Sequence, residues 1–415
     1  MKTGRRRKTL PGESSGIIRQ KKTMKMKSLL YSAVVLSGAT LALALPPTGR
    51  GKELGIKEQV AIEAQHQARV QLAILLDTSG SMDGLIEQAK TQLWSIVNTF
   101  INARQGGKAP FVEVALYEYG NQGLNGETHW IRQIQPLTRD LDRISEDLFS
   151  LKTNGGSEFC GAVISRAVGD LQWDSSPKTY KAIFVAGNEP FTQGPVDPES
   201  ACREAIKNGV IVNTIHCGPE QVGISTGWKT GPLLADGKYL VIDHNKAVVH
   251  VDAPQDKEII KWNARLNETY VPIGRTGARR LEVQKEQDNL AEGARGNALQ
   301  ARVQTKASVN YWNGNWDLVD ACTSKEFDWK KVKVEDLPEE MRAMSDKERK
   351  AYIEEKREER KTCHEKIKAL AEAREEYVKE KLREMGEGEE DTLNAVMVQT
   401  VRQQASGKGY TFEKD

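Results

Sequence analysis

Cysteine is scarce in this 415-residue sequence, which contains five, at positions 160, 202, 217, 322 and 363. No two of them form a Cys-x-x-Cys pair, so the sequence gives no support to a structural zinc site. A phosphate-binding loop, a dinucleotide-binding fingerprint and a Ser-His-Asp signature are also missing, which argues against a hydrolase or a transferase. We therefore expect a protein that is not an enzyme.

Acidic residues are almost absent from the first 44 positions, where ten Lys and Arg residues accompany a single acid, Glu13. The rest of the chain carries 50 basic and 57 acidic residues and is therefore acidic overall. An acidic body lacks the electrostatic footprint of a nucleic-acid-binding protein, so we expect no nucleic-acid partner.

The basic start precedes an apolar run, Ser28–Leu45, that contains the small-residue motif Ala42-Leu43-Ala44. A positive segment, an apolar segment and such a motif are typical of a secretory signal peptide. We predict that residues 1–44 are a signal peptide with an extended basic N-terminus, cleaved after Ala44, and that residues 45–68 are a polar linker. The protein would then be exported to the periplasm or the cell exterior. An uncleaved membrane anchor is the alternative, because about 18 apolar residues lie near the lower limit for a span.

From residue 69 onward, strand patterns alternate with helix patterns. Val70–Leu76 is a continuous apolar run, as expected for a strand that is buried on both faces. Leu85–Ala103 has helical spacing of its apolar residues. Further strands are predicted at Phe111–Tyr119, His129–Leu137, Ala182–Ala186, Val210–His216 and Lys238–Asp243, and further helices at Leu141–Leu151, Gly161–Leu171 and Glu199–Lys207. This alternation predicts an α/β fold with a doubly wound, mostly parallel sheet and helices on both faces.

The last third of the chain, residues 271–415, is predicted to be mainly helical and highly charged. Within it, residues 337–385 have sparse apolar positions at helical spacing, which indicates one long amphipathic helix or a pair of helices.

The sequence Asp77-Thr78-Ser79-Gly80-Ser81 directly follows the first buried strand and precedes the first helix. In an open parallel sheet, ligands bind outside the carboxyl ends of the strands. One carboxylate and two hydroxyls in a tight loop are hard oxygen ligands that suit Mg²⁺ or Ca²⁺. The alternative is that these hydroxyls only cap the following helix.

This pentapeptide, its strand and the order of elements resemble the von Willebrand factor A (VWA) family over residues 69–270. The resemblance implies a Rossmann-like fold and a metal-ion-dependent adhesion site, whose first loop is Asp77, Ser79 and Ser81. Ser157 stands where the family's second loop has a Thr. Gly187 stands where the third loop has an Asp, and Glu189, two residues further on, is expected to compensate for it.

Other stretches, such as Ala186–Gly194, resemble a bacterial subgroup of secreted VWA proteins for which the resemblance implies no biochemical role. The leading hypothesis is an exported binding module that mediates protein–protein interaction or adhesion. A divalent cation at the top of the sheet would capture an acidic residue of a protein ligand.

The cysteines offer a second hypothesis. Cys202 and Cys217 belong to neighbouring elements and are predicted to form a disulfide, with Cys160 as an alternative partner, or all three are small buried hydrophobes. The alternative functions are therefore a thiol or redox-linked protein that uses these three residues, and a structural envelope protein with a degenerate metal site.

Overall fold

The structure is a computed structural model that describes residues 68–82, 94–242, 251–294, 297–385 and 393–412. All of these residues fall within the unit Ile56–Asp415. The predicted signal peptide, its cleavage point and all of the predicted linker except Ala68 lie outside the described residues, as does the first part of the helix predicted at Leu85–Ala103. Residues 94–99 of that helix are helical.

A mostly parallel sheet forms the centre of the protein. The strands of the described residues are β1 (Arg69–Asp77), β2 (Ala103–Gln105), β3 (Phe111–Tyr119), β4 (Ile131–Thr138), β5 (Tyr180–Gly187), β6 (Ile211–Cys217), β7 (Tyr239–Ile242) and β8 (Tyr410–Phe412). Six of them form the main sheet in the order β4–β3–β1–β5–β6–β7. Only the β3–β4 pair is antiparallel, and the other neighbours pair in parallel. The strand order reverses at β1, so the carboxyl end of β1 is the topological switch point where ligands bind in such sheets.

Strand β1 is buried on both faces, as its continuous apolar run predicts. Because successive side chains of a strand point to opposite faces, they divide between two cores. One core receives Val70, Leu72, Ile74 and Leu76, and the other receives Ala73 and Leu75.

Helices cover both faces of the sheet. The first three are α1 (Leu141–Ser150), α2 (Cys160–Asp170) and α3 (Pro198–Lys207). Apolar residues of α1 and of the helical turn at 94–99 pack into the first core, while α2 and α3 pack into the second. Two short helices, α4 (Glu220–Ser225) and α5 (Thr230–Leu233), follow β6. The predicted doubly wound α/β fold is confirmed.

The region after β7 is helical and has two small cores of its own. Its helices are α6 (Asp256–Asn267), α7 (Gly274–Gly293), α8 (Ala298–Lys306), α9 (Leu318–Ala321), α10 (Glu339–Arg342) and α11 (Asp346–Glu384). Helix α11 is a single helix of 39 residues, and a capping box between Ser345 and Glu348 fixes its start. No helix among the described residues has the length and apolar character needed to span a bilayer.

The end of the chain returns to the sheet. Helix α12 (Leu393–Ser406) places Met397, Val401 and Ala405 in the first core, and β8 pairs with β2. Its Gln404 accepts a hydrogen bond from Tyr180 at 2.7 Å and donates one to Asn213 Oδ1 at 2.8 Å. Residues 393–412 therefore complete the α/β body, whereas the sequence pattern had assigned them to the helical region.

Candidate functional site

Backbone hydrogen bonds hold the loop after β1 against two neighbouring segments. Thr78 N–H donates to the Tyr119 carbonyl at the end of β3 (2.9 Å), and the Thr78 carbonyl accepts from Asn154 N–H (3.0 Å). Gly80 N–H donates to the Gly155 carbonyl (2.8 Å). The first and second loops of the predicted site are thus joined at the carboxyl edge of the sheet.

Asp77 is fully buried at the end of β1. Its Oδ1 accepts a hydrogen bond from Ser79 N–H at 2.7 Å, but its Oδ2 has no partner among the described residues. Burial raises the pKa of Asp77 to about 7, against the hydrogen bond from Ser79, and the nearby Glu158 and Glu189 carboxyl groups raise it further. A carboxylate buried with an unpaired oxygen is costly unless a cation or a proton compensates it.

The two serine hydroxyls of the first loop lie side by side. Ser79 Oγ and Ser81 Oγ are 2.9 Å apart, and Ser81 Oγ donates to Asn188 Oδ1 at 3.1 Å. This second contact connects the first loop to the loop after β5. Asp77, Ser79 and Ser81 are therefore gathered as the sequence predicts.

Ser157 lies in the second loop and is half-buried. The next residue, Glu158, is only 5% exposed. Its carboxyl group lies beside the Ser79 side chain, and burial and the Glu189 carboxylate raise its pKa. The acidic side chain that the second loop places beside the first loop is therefore Glu158, one residue after the predicted ligand Ser157.

Glu189 is half-buried in the third loop, and its charge acts on Asp77 and Glu158. Its backbone carbonyl accepts a hydrogen bond from Trp228 Nε1 at 2.8 Å. No three His, Cys, Asp or Glu side chains of the described part of the chain are close enough together to hold a metal ion by themselves. Any cation here would depend on hydroxyl oxygens as well as carboxylates.

The glycine at position 187 has a physical reason. A Cβ atom there would lie 2.6 Å from the Tyr119 hydroxyl oxygen, 3.1 Å from the Trp228 ring and 3.3 Å from Asp77 Cβ. The contact with Tyr119 is shorter than the 3.0 Å below which real Cβ atoms essentially never approach another heavy atom, and the contact with Trp228 is also tight. The Tyr119 and Trp228 side chains thus fill the space that an acidic side chain at 187 would need.

All five cysteines are free thiols in the structure, which corrects the expected Cys202–Cys217 disulfide. Cys202 and Cys160 lie in the second core, and Cys217 lies in the first. Because the sheet separates the two cores, a bond from Cys217 to Cys202 would have to cross it. His216, next to Cys217 on β6, points the other way and packs on Trp228 with ring centroids 5.6 Å apart, as the alternation of strand side chains predicts.

Sequence reasoning missed Glu158 and Gly120. Gly120 has a φ of +80°, and a Cβ atom there would lie 2.8 Å from both Asp77 Oδ1 and Glu158 Cγ. The available signal was an acid directly after the predicted second-loop hydroxyl. Nothing in the sequence showed that its side chain turns inward.

The donor set is chemically suited to a hard divalent cation. It offers a buried carboxylate with a free oxygen and two adjacent hydroxyls, all from one short loop. Such ions prefer oxygen ligands, and Mg²⁺ in particular keeps several of its water molecules. The residues present therefore fit the cation that the sequence resemblance implies.

Comparison with known proteins is consistent with this arrangement. The family model described as the von Willebrand factor type A domain matches residues 71–223. No curated protein sequence matches the chain.

Similar solved structures include proximal thread matrix protein 1 from the mussel byssus, with 15% identity, 43% of this chain and 43% of that chain covered, and a TM-score of 0.33. The SpRpn10 VWA domain has 19% identity, coverage of 42% and 87%, and a TM-score of 0.31. BatB from Bacteroides thetaiotaomicron has 16% identity, coverage of 42% and 90%, and a TM-score of 0.31. The chain spans less than half the length of the mussel protein.

Proposed function

Because this chain contains a von Willebrand factor type A domain at residues 71–223, we propose that it is a binding module that captures a protein partner at the carboxyl edge of its sheet. Domains of this family commonly mediate protein–protein interaction. The observation that carries the proposal is the fully buried Asp77, whose Oδ2 has no partner among the described residues and whose loop also holds the adjacent hydroxyls of Ser79 and Ser81.

A divalent cation, Mg²⁺ or Ca²⁺, would be held by Asp77, Ser79 and Ser81. Ser157 of the second loop and Glu189 of the third loop would supply further oxygen ligands. The cation would supply a positive charge that attracts an acidic residue of the partner. The protein residues bind and orient the ion, and the low exposure of Asp77 limits competition from water.

The thiol or redox alternative is less well supported. Burial raises the pKa of the Cys160 and Cys217 thiols well above the usual range, and that of Cys202 to about 12. The thiolate is the reactive form of cysteine, so such thiols are poor nucleophiles. In the native protein we expect the half-buried Cys322 to react with a thiol reagent before these three, and preferential reaction of Cys160 or Cys202 would revive the alternative.

Isothermal titration of Mg²⁺ and Ca²⁺ into the full chain tests the cation. The wild type should bind one ion, and Asp77→Ala should abolish binding. Glu199→Gln, which removes an exposed carboxylate on α3, is the matched control and should bind like the wild type. Absence of binding by the wild type, or undiminished binding by Asp77→Ala, would contradict the proposal.

Capture of partners from an envelope extract, with and without chelator, tests the interaction. Proteins retained by the wild type should be released by chelator and should not be retained by Asp77→Ala. Proteins retained equally in all conditions would indicate a different binding surface, or the structural role with a degenerate metal site.

We also propose that the protein works in the periplasm or outside the cell. The support is the basic and apolar pattern of residues 1–44. Mass spectrometry of the protein recovered from its host should find an N-terminus at residue 45. Recovery of the uncleaved chain in the membrane fraction would support the anchor instead.

A further inference from the structure

Glu158 occupies a pocket that two glycines leave open beside Asp77. At Gly156, a Cβ atom would overlap Glu158 Oε1 and would lie 2.7 Å from Ser79 Cβ. At Gly120, a Cβ atom would press on both Asp77 Oδ1 and Glu158 Cγ, each at 2.8 Å. The absence of these two side chains is what allows the Glu158 carboxylate to lie against the first loop.

The two carboxylates have no cation of the protein to balance them. Asp77 and Glu158 are 0% and 5% exposed, and no Lys or Arg of the described residues forms an ion pair with either. The groups that act on them are Ser79 and a third acid, Glu189. Two adjacent buried carboxylates without a counter-charge are strongly unfavourable, so we expect them to bind a cation from solution.

The third loop has a glycine at position 187, where the VWA family has an acidic residue. Tyr119 and Trp228 exclude an acidic side chain there. Glu189, on the same loop, affects Asp77 through its charge, which raises the Asp77 pKa. Glu158, from the second loop, lies beside Ser79.

We propose that Glu158 is the second carboxylate of the cation site, supplied by the second loop because position 187 of the third loop has no room for an acidic side chain. The inference rests on the proposed function, since it assigns a ligand to the same ion. Asp77 and Glu158 together carry two negative charges, which balance a divalent cation within the protein itself. Bound this way, the ion needs no partner to be retained.

Titration of Mn²⁺, followed by the electron paramagnetic resonance signal of the free ion, tests this assignment on the full chain. Glu158→Gln keeps the shape of the side chain and removes its charge, and should weaken Mn²⁺ binding by at least ~10-fold. Glu199→Gln, which removes an exposed carboxylate on α3 outside the loops of the site, is the matched control and should change the affinity by less than ~3-fold.

A second readout separates a ligand from a residue that only positions the loop. Glu158→Ala removes both side-chain oxygens and so frees a coordination position, and water proton relaxation should find about one more water molecule on Mn²⁺ in this variant. In the presence of chelator, Glu158→Gln should unfold at the same or a higher denaturant concentration than the wild type, because it removes a buried charge. Glu158→Asp keeps the charge but withdraws it by one methylene, and should bind with intermediate affinity.

The outcomes are distinguishable. If the wild type binds Mn²⁺ and Glu158→Gln binds it equally well, or if Glu158→Ala leaves the number of bound waters unchanged, the assignment of Glu158 is wrong and the proposed function stands. If the wild type does not bind, both fail. Reduced stability of Glu158→Gln in chelator would also contradict the assignment, since it would make Glu158 a structural residue.

Discussion

Two buried aspartates, Asp77 in the loop site and Asp288 in the helical region, differ in what surrounds them. Asp288 is 6% exposed, and its carboxylate accepts bonds from Arg302 Nε (2.8 Å), Lys306 Nζ (2.7 Å) and Asn263 Nδ2 (2.9 Å). Burial alone would raise its pKa, but Lys306 and Arg302 hold the pKa below its usual range. Asp77 is equally buried and has only one backbone N–H and a serine to stabilise it.

The difference separates a structural site from a binding site. Arg302 also pairs with Asp142 of α1 at 2.7 Å, so the cluster around Asp288 fastens the helical region to the α/β body with cations of the chain itself. At Asp77 the chain supplies acids and hydroxyls and no cation among the described residues. The charge of Asp288 is already compensated by cations of the chain, whereas the charge of Asp77 needs a cation from solution.

The largest effect on stability is expected from removing Arg302, a cation of the cluster around Asp288. Arg302→Met leaves Asp142 and Asp288 without their shared guanidinium and should lower the free energy of unfolding by about 3–5 kcal/mol. Guanidinium chloride denaturation measures it. Arg279→Met is the control, because Arg279 forms only exposed pairs with Glu282 and Glu286 and should leave the midpoint unchanged. Equal midpoints for the two variants would show that the buried network does not hold the regions together.

Matched substitutions of the two aspartates should have opposite signs. In chelator, Asp77→Asn should raise the free energy of unfolding by about 1–3 kcal/mol, because it removes a buried charge that lacks a counter-charge. Asp288→Asn should lower it, because it leaves Arg302 and Lys306 without their carboxylate. Addition of Mg²⁺ should stabilise the wild type and not Asp77→Asn. A destabilised Asp77→Asn in chelator would remove the contrast between the two sites.

The stability of the protein should also depend on pH through His364, which lies on α11 in the helical region. Burial, with help from Arg360, lowers the pKa of His364 to about 4. The unfolded chain takes up the proton near pH 6.5 and the folded protein only near pH 4, so stability is lost as the pH falls through this window. Between pH 7 and 5 we expect the wild type to lose about 1–2 kcal/mol of unfolding free energy relative to His364→Gln, a comparison that cancels the opposite contribution of Asp77, whose raised pKa adds stability as the pH falls. Denaturation of both proteins at each pH measures this difference, and equal pH profiles would contradict the prediction.

The smallest effects should come from a pair of glycine substitutions. Gly156→Ala would push Glu158 away from the first loop, so we expect weaker Mn²⁺ binding with little change in secondary structure. Gly169→Ala, at a helical position of α2 where a Cβ atom meets nothing within 4 Å, should leave binding intact and stabilise the protein by about 0.5–1 kcal/mol. Equal binding by the two variants would show that the pocket of Glu158 does not matter to the ion.

Local pattern predicted much of this molecule. The apolar run of Val70–Leu76 indicated a strand buried on both faces, and Asp77 at its end was placed at the switch point from element order alone. These predictions succeeded because they depend on neighbours in sequence. Helix α11 was also visible from the spacing of its apolar residues.

Contacts between distant parts of the chain could not be predicted in this way. The inward turn of Glu158 depends on the missing side chains of Gly120 and Gly156, which come from two separate loops. The Cys202–Cys217 pairing was wrong because the prediction used the neighbourhood of elements without the face to which each side chain points. The return of α12 to the sheet was missed because the intervening helices, 251–385, gave no sign that the α/β body was unfinished.

That return makes the body discontinuous along the chain. The first core is closed by Met397, Val401, Ala405 and Tyr410, which lie more than 300 residues after the β1 side chains that they help to cover. A ribosome has therefore synthesised the whole helical region before the sheet can be sealed, and an apolar face of the sheet stays exposed to solvent and to other chains during that time. Cutting the protein at residue 270 would keep every loop of the site and still leave that face open. We therefore expect the two regions to fold and to be stabilised together.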